Sequence, residues 1–310
     1  MRIRAFDHGF FGNFNCVVNH LVSSLGRNGC QALTVDWRVP ETTREFPYAR
    51  PEDGNLWDRL FEPLRFPDAP SHQIVTAHFV DLSITNRWVY RTYKSGGRWR
   101  RTYHEAFRRH IRLRSDVARD IDAMHEATMK GRRCIGVHVR HPAKQELPRR
   151  QASTGEMIAM AKQQLRRRDD RVVLATDHVE TVLEFQDALG EQLVMQEHVY
   201  RSATSEQQSH FEAPVPSVEI AKQVLTDAVL LSRCAVLVHQ VSNVATAVGY
   251  MNPSMRMLYC EPRRDHLANR LIFGTPVGRV VPRTAVHGLF GTDNPQDIDP
   301  PAWGLQELRE

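Results

Sequence analysis

The sequence predicts an α/β protein made of two units, each a parallel sheet covered by helices. Three observations lead there. From residue 134 onward, short β-branched runs alternate with helical patterns, which implies parallel strands with helices on both faces, a Rossmann-like unit. The earlier stretch GFFGNFNCVVNHLVSSLG followed by ALTVDW reads as a turn rich in Gly and Asn, an apolar helix face from Val17 to Leu25, and a strand. That is the start of another α/β unit. A chain of 310 residues with 41% hydrophobic content can bury a real core, and its length fits two domains of ordinary size.

The elements follow in order. Phe46 to Gly54 is a Pro-rich loop, and LWDRLFEPL is a short amphipathic helix. The apolar positions Phe107, Ile111, Val117, Ile121 and Met124 predict one long helix that ends at Gly131. We place the domain boundary at that glycine. This gives domains at 1–131 and 132–285, with residues 286–310 a tail packing back on the body. In the second unit, CIGVHV, RVVLATD, QLVMQEHV, AVLVHQ and RMLYCEP read as strands. Ser153 to Glu156 has capping-box spacing and opens a helix with Met157, Met160, Ala161 and Leu165 on one face. VETVLEFQDAL is a helix closed by Gly190, and SVEIAKQVLTDAVLLSRC is the helix before the fourth strand. Residues 200–214 are polar and aperiodic, a loop near the strand ends with the reach to close over a substrate.

A net charge of +5 and a pI near 9.1 point to anionic partners such as phosphate, nucleotide or nucleic acid. The five cysteines, Cys16, Cys30, Cys134, Cys234 and Cys260, are odd in number and widely spaced, without C-x-x-C. Neither a disulfide framework nor a zinc ribbon is supported, and a reduced, cytoplasmic protein is expected. The start MRIRAFDHGFFGNFN lacks the apolar core of a signal peptide, and no stretch approaches the roughly 20 apolar residues of a membrane span.

The densest chemistry lies in CIGVHVRHPAK, residues 134–144. It sets His138, Arg140, His141 and Lys144 at the end of a buried strand, with no acid before Glu146. Ligands of open parallel sheets sit beyond the carboxyl ends of the strands, where helix N-termini also present backbone N–H groups. Arg140 offers two parallel hydrogen bonds to a phosphate and Lys144 a mobile point charge. His138 and His141 have no evident third ligand, so no metal site is expected. The D-x-D pairs Asp120/Asp122 and Asp297/Asp299 fall in a helix and in the tail. P-loop, dinucleotide and nucleophile-elbow motifs are absent from the sequence. A rival reading comes from Arg87 to Arg114, where ten Lys or Arg residues stand among aromatics with Glu105 the one acid. Single-stranded nucleic acid binders use that mixture, but no RNP motif, KH loop or zinc finger accompanies it. Nucleic acid is therefore the less favoured partner.

Three segments in order, IGVHVRHPAK, VVLATDH and DAVLLSRCAVLVHQVSNVATAVGYM, resemble motifs of the α1,6-fucosyltransferase superfamily, which spans nodulation, core and protein O-fucosyltransferases. The opening GFFGNFN, with its Gly12 and Asn13, and the stretches VDWR and FEP are similar to the family as well. The resemblance implies a GT-B architecture, two Rossmann-like domains facing across a cleft, with the acceptor on the N-terminal side. It implies a bacterial-type, metal-independent, inverting transferase that uses GDP-fucose as donor substrate and needs no cofactor; the acceptor is a glycan, peptide or glycoside. Carried over, His138 and Asp227 contact guanine, Arg140 the β-phosphate, Ser242 or Asn243 the diphosphate, and Asp177 lies beside the sugar nucleotide. Gly12 and Asn13 belong to the donor site too. The chain departs from the family where the catalytic glutamate falls on Pro148, leaving Glu146 as the nearest carboxylate. It departs again at His178 and Asn243, where the family has aspartate and serine. Read without the family, Asp227 is an acid on a helix with a solvent-facing position, and Asp177 is a helix N-cap.

Overall fold

Two parallel sheets organise the chain. The computed structural model describes residues 2–5, 9–25, 33–38, 48, 50–64, 76–77, 98–141, 152–197, 200–203, 217–240 and 242–260. The first sheet holds β1 (Arg2–Arg4), β2 (Thr34–Asp36) and β3 (Thr76–Ala77) in the order β2-β1-β3. The second holds β4 (Cys134–His138), β5 (Arg171–Ala175), β6 (Leu193–Val194), β7 (Val236–His239) and β8 (Arg256–Tyr259) in the order β6-β5-β4-β7-β8, every pairing parallel. Strand order therefore reverses between β4 and β7. At such a switch point the two flanking crossovers leave on opposite faces and open a crevice.

Because its three central strands, β5, β4 and β7, are buried on both faces, they are almost continuously apolar, and alternate residues enter different cores. Cys134, Val173, Ala175 and Leu237 face one core; Ile135, Val137, Val172, Leu174 and Val238 face the other. The second core is closed by α5 (Thr154–Lys162) and α6 (Val179–Leu189), through Met157, Ala161 and Phe185. The capping box forms as expected: Ser153 Oγ accepts from Glu156 N at 3.3 Å, and Glu156 Oε2 accepts from Ser153 N at 2.8 Å. Gly190, with φ 50°, ends α6.

On the first face lie α7 (Ser217–Ser232) and α8 (Asn243–Met251). Gly136 is the position in β4 where α7 comes closest. A Cβ there would stand 2.9 Å from Leu231 Cδ2 and 3.2 Å from Leu237 Cδ1. Gly136→Ala is expected to lower unfolding stability by about 1–3 kcal/mol through overpacking, readable as a shifted urea midpoint at unchanged slope.

The first unit supplies α1 (Phe10–Leu25), α2 (Leu56–Leu60), α3 (Arg98–His110) and α4 (Ser115–Thr128). Asn55 caps α2, and its side chain also takes Trp37 N at 2.8 Å and donates to Val35 O at 2.9 Å, tying the helix to β2. Helix α1 is buried from Phe10 to Asn19. A helix covered all round needs apolar neighbours on every side, and α1 has them: Phe10 and Phe14 meet Trp37, Trp57 and Phe61, while the other side meets α3 and α8. One continuous core thus runs from Ile3 to Met255 across both units. Arg100 of α3, 1% exposed, donates to three carbonyls at the end of α8: Gly249 at 2.8 Å, Asn252 at 2.8 Å and Met255 at 3.0 Å.

Four expectations are corrected. Gly12 and Asn13 are not in a turn but in the first turn of α1, their amides reaching Gly9 O at 2.9 and 3.3 Å. Burial overrides their turn preference. The single helix through Phe107 and Met124 is two, because the chain breaks at Ile111–Arg114 to pair Leu113 with Phe61. Of the strand read over residues 192–199, the described residues 192–197 form strand at Leu193–Val194 alone, paired with β5. Within Phe46–Gly54, Pro51–Asp53 forms a 3-10 turn. Gly131, with φ 71°, turns the chain into β4. The proposed tail 286–310 and residues 261–285 lie outside the described residues.

Candidate active site at the sheet switch point

The two strands that meet at the switch point, β4 and β7, end on His138 and His239, and the chain beyond them carries the polar groups. Parallel register sets His138 beside Ala175 and His239. Past β4, Arg140 N donates to Gln240 Oε1 at 2.9 Å, and Gln240 Nε2 donates to Ala152 O at 2.8 Å. Gln240 is 2% exposed. It therefore fixes the backbone of Arg140 from the neighbouring strand end, while the Arg140 side chain is partly exposed.

Past β7, Ser242 is the N-cap of α8, its Oγ accepting from Ala245 N at 3.0 Å and lying 3.2 Å from His138 Nδ1. The amides of the first turn of α8 open toward the switch point, where partial positive charge collects. Asn243 follows, and Asn15 of α1 donates to it through Nδ2, to the backbone O at 3.1 Å and to Oδ1 at 3.2 Å. His138, Arg140, Ser242 and Asn243 are thus gathered at one edge, with α1 of the first unit against them.

Asp177 follows β5. Its backbone O accepts from Ser202 N at 2.9 Å and from Ser202 Oγ at 3.1 Å, and Ser202 Oγ also bonds the fully buried ring of His141. His141 and His178 meet edge to face at 5.1 Å. Asp177 is no N-cap, since the cap of α6 is His178, which holds Thr181 Oγ1 at 3.2 Å. His138 and His141 turn to different serines, and among the described residues no group of three His, Cys, Asp or Glu side chains is arranged to hold a metal. Asp120 pairs with Lys222 and Asp122 with Arg233, so the first D-x-D pair is structural.

Asp227 is half-buried, where its helix position alone implies a solvent-facing side chain. It takes a hydrogen bond from Gln196 Nε2. Burial pushes its carboxyl up to about 7, opposed by Gln196 and by the charge of Arg201, and reinforced by Asp177. Arg201 in turn is held below its ordinary range by burial, against the pull of Asp227 and Asp177. From the first unit comes Tyr48, fully buried; burial raises its phenol, the Phe10 backbone opposes, and the Asp177 carboxylate adds to the rise. The Asp177 carboxylate is therefore within electrostatic reach of Tyr48, whose hydroxyl is tied to the Phe10 backbone. Arg201, Gln196, Gln240 and Asn15 carried no signal in the sequence, because each acts through a partner distant in the chain. Lys144 and Glu146 lie outside the described residues.

Two other surfaces are occupied differently. A cavity of about 380 Å³ is lined by Arg59, Arg114, Asp116 and Lys222 among others, but Arg114 meets Asp116 at 3.2 Å and Lys222 meets Asp120. Two of its cations are already matched. In the basic stretch, Tyr103 is 6% exposed and Phe107 packs beside Phe14 and Tyr250 at 6.2 and 6.0 Å. These rings are core and offer no stacking platform. Trp88, Tyr90 and the Trp99 side chain lie outside the described residues.

The architecture is that of GT-B proteins, two Rossmann-like units facing across a cleft. Among solved structures, NodZ α-1,6-fucosyltransferase soaked with GDP-fucose is similar over 81% of this chain and 92% of its own, at 21% identity and a TM-score of 0.52. Fucosyltransferase NodZ from Bradyrhizobium matches over 80% and 91%, at 21% identity and a TM-score of 0.51. POFUT1 in complex with GDP covers 84% of this chain and 98% of its own, at 10% identity and a TM-score of 0.43. No family model and no curated protein sequence matches. The likeness to NodZ establishes the fold, the one expected from the motif resemblance. No helix among the described residues is long and apolar enough to cross a membrane.

Proposed function

We propose that the chain is an inverting glycosyltransferase that moves L-fucose from GDP-fucose to an acceptor hydroxyl. The observation that carries the reading is the convergence of His138, Arg140 and the N-terminus of α8 at the switch point between β4 and β7, with α1 against it. A nucleoside diphosphate needs such a place: fixed donors for the anion on one side, a half-buried acid for the base on the other. In support, a structure of the same fold was soaked with GDP-fucose and another co-crystallised with GDP.

In the proposed step the acceptor oxygen attacks the anomeric carbon from the face opposite the leaving group. The bond from that carbon to the β-phosphate oxygen breaks, and the electron pair stays with GDP. Negative charge grows on the diphosphate, where Arg140 and the first-turn amides of α8, joined by Lys144 from the motif, stabilise it without a divalent ion. The acceptor proton passes to a carboxylate. We assign that role to Asp177, whose charge bears on Tyr48; Glu146 is the alternative from the motif. His138 and Asp227 read guanine. Glycan, peptide and glycoside acceptors fit alike, and the departures at His178 and Asn243 leave another GDP-sugar as second donor.

Calorimetric titration in EDTA with GDP, UDP and a single-stranded oligonucleotide tests the reading. GDP is expected to bind more tightly than UDP, and Arg140→Ala to weaken GDP about ten- to hundredfold, the worth of a bidentate charge-assisted contact. Oligonucleotide binding with a steep salt dependence and indifference to GDP would sink the proposal.

A further inference from the structure

We infer that Asn15, on helix α1 of the first unit, is a positioning residue that aims the side-chain N–H2 of Asn243 at the donor's diphosphate. The inference rests on the donor reading above. It follows from hydrogen-bond polarity. Asn15 Nδ2 lies 3.1 Å from the backbone O of Asn243, and a carbonyl can only accept. The edge of the Asn15 amide facing Asn243 is therefore its N–H2 edge, and its Oδ1 faces Tyr250, whose hydroxyl donates to it at 2.7 Å. The same N–H2 group reaches Asn243 Oδ1 at 3.2 Å. That oxygen is held toward α1, so Asn243 Nδ2 is turned away from it.

The orientation matters because Asn243 is the first residue of α8, at the end where anions are favoured. Flipped, its amide would present a carbonyl oxygen to the phosphates; held, it presents a donor. Among the described residues none accepts from Asn243 Nδ2, and Asn243 is partly exposed. Asn15 and Tyr250 are 1% and 0% exposed, so no bulk water competes for the chain of bonds. Asn15 stands on α1 and Tyr250 on α8, which makes the first unit a contributor to donor affinity through another side chain.

The test compares GDP with guanosine by calorimetry for wild type, Asn15→Leu, Asn15→Asp and Asn243→Ala. Asn15→Leu frees the Asn243 amide to flip. Asn15→Asp keeps the size and the acceptor for Tyr250 but turns oxygen toward Asn243. Both are expected to weaken GDP about tenfold, as loss of one charge-assisted hydrogen bond does, while guanosine affinity stays within about twofold. In the Asn243→Ala background, Asn15→Leu is expected to have no further effect on GDP, since coupled residues do not add. Equal losses for GDP and guanosine, an unchanged GDP affinity, or an undiminished effect in that background would each overturn the inference and leave the donor reading standing. Wild-type protein that binds guanosine and GDP equally, or neither, overturns the donor reading and the role of Asn15 with it.

Discussion

Arg100→Met is expected to lower the unfolding free energy by about 3–5 kcal/mol. The guanidinium is 1% exposed and donates to Gly249 O, Asn252 O and Met255 O. Methionine keeps much of the apolar stem but leaves those carbonyls without their donor, at roughly 1–3 kcal/mol for each that water cannot reach. The loss is large because one rigid fork serves several acceptors where α8 has run out of partners of its own. Arg100→Lys is expected to recover only part of it, since an ammonium cannot span all three carbonyls. Arg100 stands on the first unit and its acceptors on the second, so the cost falls on the contact between them. Urea unfolding is expected to change from one transition to two as the second unit loses its hold on α3 and α1. A single transition at the wild-type midpoint would show that the shared core carries the coupling without Arg100.

That contact was not legible in the sequence, and the reason is general to the molecule. What could be read was whatever is local. Strands β4, β5 and β7 announce themselves because a parallel strand buried on both faces is an apolar run. Helix α6 was bounded by its glycine, and α5 by the Ser153–Glu156 box. The reading failed where a distant partner decides. The apolar period through Phe107 and Val117 is real, since Ile111 and Leu113 do reach the core, but the pairing of Leu113 with Phe61 breaks the helix there. Gly12 and Asn13 carry turn preference into a helix because the aromatic side chains around Phe10 and Phe14 need that helix buried. Around the candidate site, the motif and the strand ends name His138, Arg140 and Ser242, which the fold gathers at one edge. They do not name Asn15, Gln196, Arg201 and Gln240, for each binds a residue that is close only after folding.

Asp227 gives the second large effect, and its direction follows from where its proton sits. Burial raises the folded carboxyl to about 7, against about 3.9 in an unfolded chain. Between those values the native state holds a proton that the unfolded state has lost, so stability falls as pH rises from about 4 to about 7 and then levels off. Asp227→Asn removes that penalty. It is expected to match wild type near pH 4 and to be more stable by about 2–4 kcal/mol at pH 8, the worth of the shift. Guanine binding is expected to run the other way. The donor edge of guanine needs the ionised carboxylate, so guanosine affinity should rise about tenfold per pH unit below 7 and flatten above it. At pH 5.5 it should be about thirtyfold weaker than its plateau. In Asp227→Asn that pH dependence should vanish and affinity stay low throughout, because an amide opposes one donor of the base with a donor of its own. Guanosine rather than GDP is the probe, so that no phosphate titrates in the same range. Guanosine affinity that is flat from pH 5.5 to 8, together with a variant no more stable than wild type at pH 8, would place the carboxylate outside the base-reading site. A variant that gains stability while losing guanosine would mean that the fold tolerates a desolvated acid on α7 for the sake of the ligand it reads.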